Sequence, residues 1–495
     1  MKLKNFLCNK TIFLSDLHRF WPMALLYGIL LQLTIELPML NKYYNFIMNP
    51  DYYYTKEEIL AETIETLTIG GIIPCVSCVF FVVLLFGYLN REKETYSIHA
   101  FPVSRESLFM SHYFAGLTLV MIPVILIMIT VSVTGLIFGT TPSVAFIWGY
   151  IDIIIEHFFF YNLSCLVAMI TGNGVMTVIV YGVLNLLGPG IHTLFWVIRN
   201  IYIYGLHYDH TYTFLDKLSP IRYFFDHYQL YHFTKQQEIV LGVAKTDIIC
   251  VLLSLIPAVL FIFVAVFLYK KRNIESVGEM VVFEWGREIF RMIFTVCSSF
   301  ILSIILYYIL LYSILGNLNY PAQFPFVFVL VLINMLLFYW LSNVILYRSI
   351  HVIKKTSFVR CGILMVIMAM VLIGTRNFHL YINKDLCDHI EVNLYCYSDK
   401  KAVGNYQGNS WIYDIECENL PQVESLIIDL QDYNQHQPVS NNENTEGYVY
   451  IRIYENYNTD SENLHTYSYS FSDENADEVF EILEAIGTKQ ANEVR

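Results

Sequence analysis

The stretch Leu89–Tyr113, LNREKETYSIHAFPVSRESLFMSHY, lies between two long apolar runs, Leu67–Tyr88 and Tyr113–Phe138. It is dense in charge and carries a proline. A plain connector between two membrane helices would be a short turn, so its length and chemistry set the questions for the rest of the chain.

Working outward, the 495 residues are 56% hydrophobic, 16% aromatic and only 15% charged, with a mean hydropathy of +0.49. Such a balance points to a polytopic membrane protein. The net charge of −13 is unevenly spread. Residues 377–495 hold 22 Asp and Glu against 6 Lys and Arg, a balance of −16, which leaves +3 for everything before them. A nearly neutral membrane region precedes an acidic tail, and nucleic acid is not an expected partner.

A membrane helix needs about 20 mainly apolar residues to cross a hydrocarbon layer of roughly 30 Å. Nine segments fit: Phe20–Leu40, Leu67–Tyr88, Tyr113–Phe138, Val144–Ile170, Val175–Ile198, Ile248–Tyr269, Met292–Leu315, Phe324–Leu346 and Cys361–Thr375. The last is the shortest and needs its flanking Arg360 and Arg376 to snorkel. The four segments 1–19, 88–112, 270–291 and 347–360 carry sixteen of the 24 Lys and Arg before residue 377. By the positive-inside rule these face the cytoplasm, which places the amino terminus inside and, after nine crossings, the tail outside.

Met1–Arg19 lacks the apolar core of about 7–15 residues of a signal peptide and is expected as a cytoplasmic elbow helix. Residues 20–269 form a six-span unit with an outer loop at 199–247. A basic interfacial segment at 270–291 and three further spans over 292–376 follow. The tail, 377–495, is expected to fold as an external α+β domain. HIEVNLYCYS, VESLIIDLQDY, GYVYIRIYENY and LHTYSYSFS are read as β-rich runs, and DENADEVFEILEAIG as a helix with Asp473 as N-cap and Gly487 as its stop. The fold class is thus a polytopic α-helical membrane protein of about nine spans with a carboxyl-terminal extracytoplasmic α+β domain.

Of the ten cysteines, Cys387, Cys396 and Cys417 lie in the tail, where at most one internal disulfide is available to an odd number. Cys75 and Cys78 fall inside a span and lack a second ligand pair. GLHYDHTY, with His207, Asp209 and His210, is the nearest approach to a metal patch, and a Tyr- and His-rich surface loop accounts for it better. No metal and no cofactor is expected in this chain. No G-x-x-x-x-G-K-[ST], H-E-x-x-H or G-x-S-x-G occurs, so ATP hydrolysis of the phosphate-loop kind must come from elsewhere.

In place, the opening stretch follows the second span on the cytoplasmic side. Pro102 breaks the chain, and Ser104 is positioned to cap a helix that continues into the third span. A short interfacial helix, a turn and a second helix are expected, with Arg91, Glu92, Arg105 and Glu106 facing water. An ordinary positive-inside loop is the plainer alternative.

Two intramembrane features stand out. WGYIDIIIEHFFF places Asp152 and Glu156 four residues apart on one helical face with His157 adjacent, and at 1.5 Å per residue Glu156 lies roughly 18 Å in. Buried charges of this kind imply a cavity or bundle interior; an amphipathic segment lying at the interface is the competing account. NLLGPGIHTLF puts Gly188, Pro189 and Gly190 in the fifth span, where they should interrupt or kink the helix and could line a pathway.

REKETYSIHAFPVSRESLFMSHYFAG, LSPIRYF (Leu218–Phe224) and YKKRNIESVGEMVVFEWGREIF (Tyr269–Phe290) together resemble the permease subunits of exporter-type (type-2 class) ABC transporters of Gram-positive bacteria. In that family a cytoplasmic loop after the second span carries a motif that falls here on Phe101, Pro102, Val103, Ser104, Arg105, Leu108 and Phe109. The sixth span ends in a basic run followed by a glutamate and a glycine, which fall on Lys271, Arg272, Glu275 and Gly278. The resemblance implies a non-catalytic multi-pass subunit of the cell membrane, surrounded by lipid, that pairs with a second permease, identical or related, and with cytoplasmic ATPase subunits that bind ATP and Mg. It further implies a loop that transmits ATPase closure, a short re-entrant helix from LSPIRYFFDHYQLY, and export or handling of peptide or cell-envelope-active compounds. The three extra spans and the tail depart from a plain six-span permease. A membrane-embedded sensor with an external ligand-binding domain, and an intramembrane enzyme using Asp152, Glu156 and His157, are the alternatives.

Overall fold

The computed structural model describes residues 8–49, 55–67, 71–140, 144–202, 206–210, 219–227, 231–233, 239–241, 245–313, 320–347, 349, 355–377, 387–396, 409–436, 447–455, 463–471, 482–483, 485 and 487–489. They are mostly helical, with a small sheet near the carboxyl end. Eight helices are long and apolar enough to cross a membrane: Lys10–Met48, Ile72–Asn90, Arg105–Ile137, Phe146–Ile170, Gly174–Leu194, Ile248–Lys271, Glu284–Leu310 and Pro325–Tyr347. The ninth expected span lies in helix Lys355–Asn377, whose apolar stretch Phe358–Gly374 is shorter than the others. The chain divides into two compact units, Met1–Pro189 with Asp216–Ile289 and Gly190–Leu215 with Phe290–Arg495.

The first unit begins with α1 (Lys10–Leu31), which passes through a π-helical turn, Gln32–Glu36, into α2 (Leu37–Met48). Asn9 caps it, its side chain accepting from the Thr11 amide. The separate elbow expected over 1–19 is corrected for residues 10–19: nothing from Lys10 to Arg19 breaks the helix, so this stretch is continuous with the first candidate span. After α3 (Lys56–Thr66) come α4 (Ile72–Leu85), α5 (Glu92–His99), α6 (Arg105–Ile137), α7 (Val144–Ile170) and α8 (Gly174–Tyr202), then α9 (Pro220–His227), α10 (Lys245–Leu253) and α11 (Leu255–Lys271).

Helix α7 is the most enclosed of the candidate spans. Phe159, Phe160 and Tyr161 on it pack with Phe81 on α4, Phe86 just after it, Tyr113 on α6 and Phe224 on α9. Lipid gives helices no hydrophobic drive to associate, so packing and interhelical hydrogen bonds do that work. Tyr113 Oη donates to Asn162 Oδ1 at 2.7 Å, and Tyr161 Oη donates to the Tyr113 carbonyl at 2.9 Å.

The second unit holds α12 (Glu284–Ser313) from Phe290 onward, α13 (Tyr320–Tyr347) and α14 (Lys355–Asn377). Arg291, Thr295, Ser299 and Ser303, one turn apart on α12, are all buried, and Asn334 on α13 donates to Ser303 Oγ at 2.8 Å. Its sheet runs in the order β1-β7-β6-β4-β5-β8, all neighbours antiparallel. The strands are β1 (Leu206–His210), β4 (Cys387–Cys396), β5 (Asn409–Ile415), β6 (Gly447–Glu455), β7 (Asn463–Phe471) and β8 (Gly487–Lys489); β2 (Tyr231–Phe233) and β3 (Ile239–Leu241), in the first unit, form a separate antiparallel pair. Three of the four β-rich runs are strands.

The fourth is a correction. VESLIIDLQDY belongs to helix α15 (Leu420–His436), because Val423, Leu426, Ile427 and Leu430 recur at helical spacing and are buried against Ile390, Val392, Ile451 and Tyr467 of the sheet. GLHYDHTY is corrected as well: Leu206–His210 is strand β1, paired with β7, rather than a surface loop. Most of the helix expected over 473–487 lies outside the described residues, and Gly487 opens strand β8. Cys387 and Cys417 are not joined to each other by a disulfide.

Candidate functional site

The stretch between the second and third spans folds as two helices around a turn. Helix α5 starts after Arg91, with Glu92 and Glu94 in its first turn, where acidic groups suit the positive helix end. Thr95 Oγ1 donates to the Tyr88 carbonyl at 2.6 Å and to the Arg91 carbonyl at 2.9 Å, fixing α5 to the end of the second span. Pro102 sits in the exposed turn, and Ser104 caps α6 by accepting from the Ser107 amide at 3.2 Å.

Arg91 and Glu92 are exposed, whereas Arg105 and Glu106 are half-buried rather than turned fully to water as expected. Arg105 Nη1 donates to the carbonyls of Lys270, at 3.1 Å, and Arg272, at 2.8 Å, and Glu106 pairs with the Lys270 ammonium. The physical reason is the end of α11: its last carbonyls have no partner further along the helix and carry partial negative charge, which a guanidinium fork satisfies. The first loop and the basic run after the sixth span are thus one corner.

Arg272 is the centre of that corner and is 5% exposed, so the expectation of an accessible contact at this position is also corrected. Its Nη1 donates to the carbonyls of Ala168, at 3.0 Å, and Thr171, at 2.8 Å, and its Nη2 donates to the Leu89 carbonyl at 3.2 Å. One side chain therefore ties the ends of the second, fourth and sixth spans. Burial pushes its pKa down to about 10, which leaves it charged at neutral pH. Lys271 lies over the Phe267 ring at 4.4 Å and Glu275 is exposed.

Beside it the Tyr88 and Tyr269 hydroxyls lie 2.9 Å apart, and Tyr269 Oη is 3.2 Å from His99 Nε2. His99 Nδ1 is 2.8 Å from the Thr95 carbonyl, which only accepts, so Nδ1 carries the proton. In the neutral ring Nε2 then accepts from Tyr269, which accepts from Tyr88. Burial holds the His99 pKa below the ordinary imidazole value, with the Arg105 and Arg272 charges adding to it.

The segment after Arg272 is stitched to the turn between α7 and α8. Gly172 N donates to the Glu279 carbonyl at 3.1 Å, Gly278 N to the Gly172 carbonyl at 2.9 Å and Val282 N to the Ile170 carbonyl at 2.8 Å. A Cβ on Gly172 would stand 2.5 Å from the Glu279 carbonyl oxygen, and Gly278 has φ +80°; both positions need glycine. Arg287 closes the segment through the Val281 carbonyl at 2.9 Å and Glu279 Oε2 at 2.6 Å.

Within the membrane region, Asp152, Glu156 and His157 are 1%, 0% and 1% exposed on the unbroken helix α7, which removes the interfacial-segment account. His157 is held by the Ile153 carbonyl, 2.7 Å from Nδ1, and by Tyr27 Oη, 3.4 Å from Nε2. Neither carboxylate oxygen of Glu156 has a hydrogen-bond partner among the described residues. Gly188, Pro189 and Gly190 do not interrupt α8, so of the expected interruption or kink the interruption is corrected. Pro189 offers no N–H to the Asn185 carbonyl one turn back, and buried Ser219 Oγ donates to that carbonyl instead, which keeps the helix whole. Ser219 also caps α9, the short helix expected from LSPIRYF.

Sequence reasoning found Ser104, Arg105 and Arg272 as positions of interest but missed Tyr88, His99, Gly172, Ser219 and Tyr269. The two tyrosines carried a signal, since aromatic residues at the ends of spans mark the interface. No family model, no curated protein and no solved structure matches the chain.

Proposed function

We propose that this chain is the permease subunit of an ATP-driven ABC transporter, forming the translocation pathway and coupling to separate cytoplasmic ATPase subunits and to a second permease. The observation that carries the proposal is the corner built by Arg105: a helix–turn–helix between two spans is braced on the end of the sixth span. A push on the exposed turn at Phe101 and Pro102 would reach three spans through Arg105 and Arg272 without first bending a flexible loop. Exposed Arg91, Glu92, Tyr96 and Phe101 supply charge and apolar surface for a cytoplasmic partner.

The sidedness of the chain is part of this proposal. Strand β1, from the loop after the fifth span, pairs with β7 of the tail, so both lie on one side of the membrane. An even number of crossings must separate them. Ile248–Lys271, Glu284–Leu310 and Pro325–Tyr347 make three, which supports α14 as the fourth and ninth overall. With a cytoplasmic amino terminus the sheet is extracytoplasmic. Asp152, Glu156, His157 and Gly188, Pro189 and Gly190 are proposed for the pathway, and peptide or cell-envelope-active compounds as its cargo.

The test is affinity capture of the solubilised protein from its own host, followed by ATP turnover of the captured complex. Co-purification of an ATPase whose turnover falls in Arg105→Ala and Pro102→Ala is the expected result. A sensor would instead bring down a signalling partner, and normal ATPase binding and transport in both variants would overturn the coupling assignment.

A further inference from the structure

The side chains of Tyr88, Tyr269 and His99 form a hydrogen-bond chain that the Arg105 brace does not use. The Tyr88 hydroxyl, at the end of the second span, donates to Tyr269 Oη, at the end of the sixth, and Tyr269 donates to His99 Nε2 in the last turn of α5. The direction is set at the far end, because His99 Nδ1 commits its proton to the Thr95 carbonyl. This chain holds the carboxyl end of α5 to α11. The middle of α5 is held separately, by Thr95 on the Tyr88 carbonyl.

A chain of this polarity works only while Nε2 keeps its lone pair. A proton on Nε2 makes it a donor; Tyr269 must then accept from it and turn its own proton to Tyr88, and the Tyr88 proton loses its acceptor. Tyr88 is buried, and Tyr269 is the one hydrogen-bond partner of its hydroxyl among the described residues. A buried hydroxyl left without an acceptor bears its desolvation penalty.

The surrounding charges oppose that proton too. From α6 come Arg105, on the carbonyls of Lys270 and Arg272, and Glu106, paired with Lys270 of α11. His112 of α6 pairs with Asp16 of α1 at 2.5 Å, beside the Tyr88 ring. Beyond α11 stand Arg272, held on helix-end carbonyls, exposed Glu275, and Glu279, paired with Arg287. On α5 itself Glu94 pairs with Arg91. No carboxylate among the described residues pairs with His99, so an imidazolium there faces two guanidiniums without a counter-ion. Burial together with those two charges holds its pKa below the ordinary imidazole value. Protons have a route to the ring, since His99 is half-buried and lines a small open cleft with Tyr269, Arg272, Asn273 and Ile274.

We propose that His99 is an acid-sensitive latch: protonation of its ring breaks the Tyr269 contact and frees the carboxyl end of α5 from the end of the sixth span. The turn at Phe101 and Pro102 then bears on the spans through α6 alone instead of through both helices. The regulatory consequence, a fall in ATP-driven turnover as the pH around the corner drops, rests on the coupling role proposed above.

Hydrogen–deuterium exchange of the purified full-length protein in detergent micelles, read by mass spectrometry at pH 7.5 and 5.5 and corrected for the intrinsic pH dependence of exchange, tests the latch. Protection of the amides of residues 96–101 should fall at least about threefold at the lower pH, part of the tenfold that one pKa unit of linkage supplies, while α7 keeps its protection. His99→Gln should abolish that pH dependence. Tyr269→Phe, which keeps the histidine and removes its partner, should leave the end of α5 equally open at both pH values. Unchanged protection in the parent would overturn the latch, and so would an equal acid loss in His99→Gln, which would place the sensor at His112 instead. In the captured ATPase complex, turnover at pH 6.0 relative to pH 7.5 should be about threefold lower for the parent than for His99→Gln. Equal ratios would overturn the regulatory role. The exchange measurement contains no ATPase, so its failure and failure of the coupling proposal are separate results.

Discussion

Arg272 Nη1 lies 2.8 Å from the carbonyl oxygen of Thr171, joining the end of the sixth span to the end of the fourth. The same guanidinium reaches Ala168 and Leu89, so its loss strands several buried carbonyls at once. Arg272→Met should destabilise the protein by about 3–5 kcal/mol, the cost of breaking a buried charged network. Arg272→Lys should recover little, because an ammonium cannot span three helix ends as a planar fork does. Thermal unfolding of the detergent-solubilised protein, read by the fraction remaining monodisperse, measures both; a lysine variant as stable as the parent would contradict the fork.

Gly172 offers a cleaner steric test. Gly172→Ala sets a methyl group against the Glu279 and Ser276 carbonyl oxygens, at 2.5 and 2.6 Å, and both are backbone atoms that cannot swing away. A loss of about 1–3 kcal/mol is expected. Gly182→Ala, on α8 with nothing within 4 Å of the new methyl, should instead gain up to about 1 kcal/mol from helix propensity. The two variants should move the melting temperature in opposite directions.

His99 gives the corner a pH dependence whose sign follows from its surroundings. Burial and the nearby arginines depress its pKa in the folded state, so between the folded value and the ordinary 6.5 the unfolded chain binds more protons. Stability from this group is present above pH 6.5 and is lost as pH falls through that window. His99→Gln, which keeps a side-chain hydrogen-bonding group but does not titrate there, should flatten the melting temperature between pH 7.5 and 5.5. An unchanged slope would place the pH sensitivity elsewhere.

How far the sequence carried these conclusions depends on the kind of signal. Apolar runs of membrane length gave the spans, and Pro102 followed by Ser104 gave the helix–turn–helix, because both are local in the chain. The brace by Arg105 and the reach of Arg272 join residues more than 100 positions apart, and a basic residue after a span reads the same whether it meets solvent or a helix end. The helix Leu420–His436 is legible in principle, since Val423, Leu426, Ile427 and Leu430 have period 3.6, but a short run of Leu and Ile with a leading Val fits a strand equally well by composition. Strand β1 lay beyond reach, since its partner is some 250 residues downstream.

That long-range pairing supplies the last prediction. Tyr208 of β1 and Thr466 of β7 are register partners, and Cβ atoms of directly opposed residues in antiparallel strands stand about 4.5–5.5 Å apart. A Tyr208→Cys, Thr466→Cys double variant should therefore form a disulfide under mild oxidation, seen as a mobility shift that reverses with reductant, with neither single variant shifting. The same two thiols, kept reduced in intact cells, should react with a membrane-impermeant maleimide. Labelling of one position and protection of the other across the membrane would break the sheet pairing and, with it, the even count of crossings that supports α14 as a span.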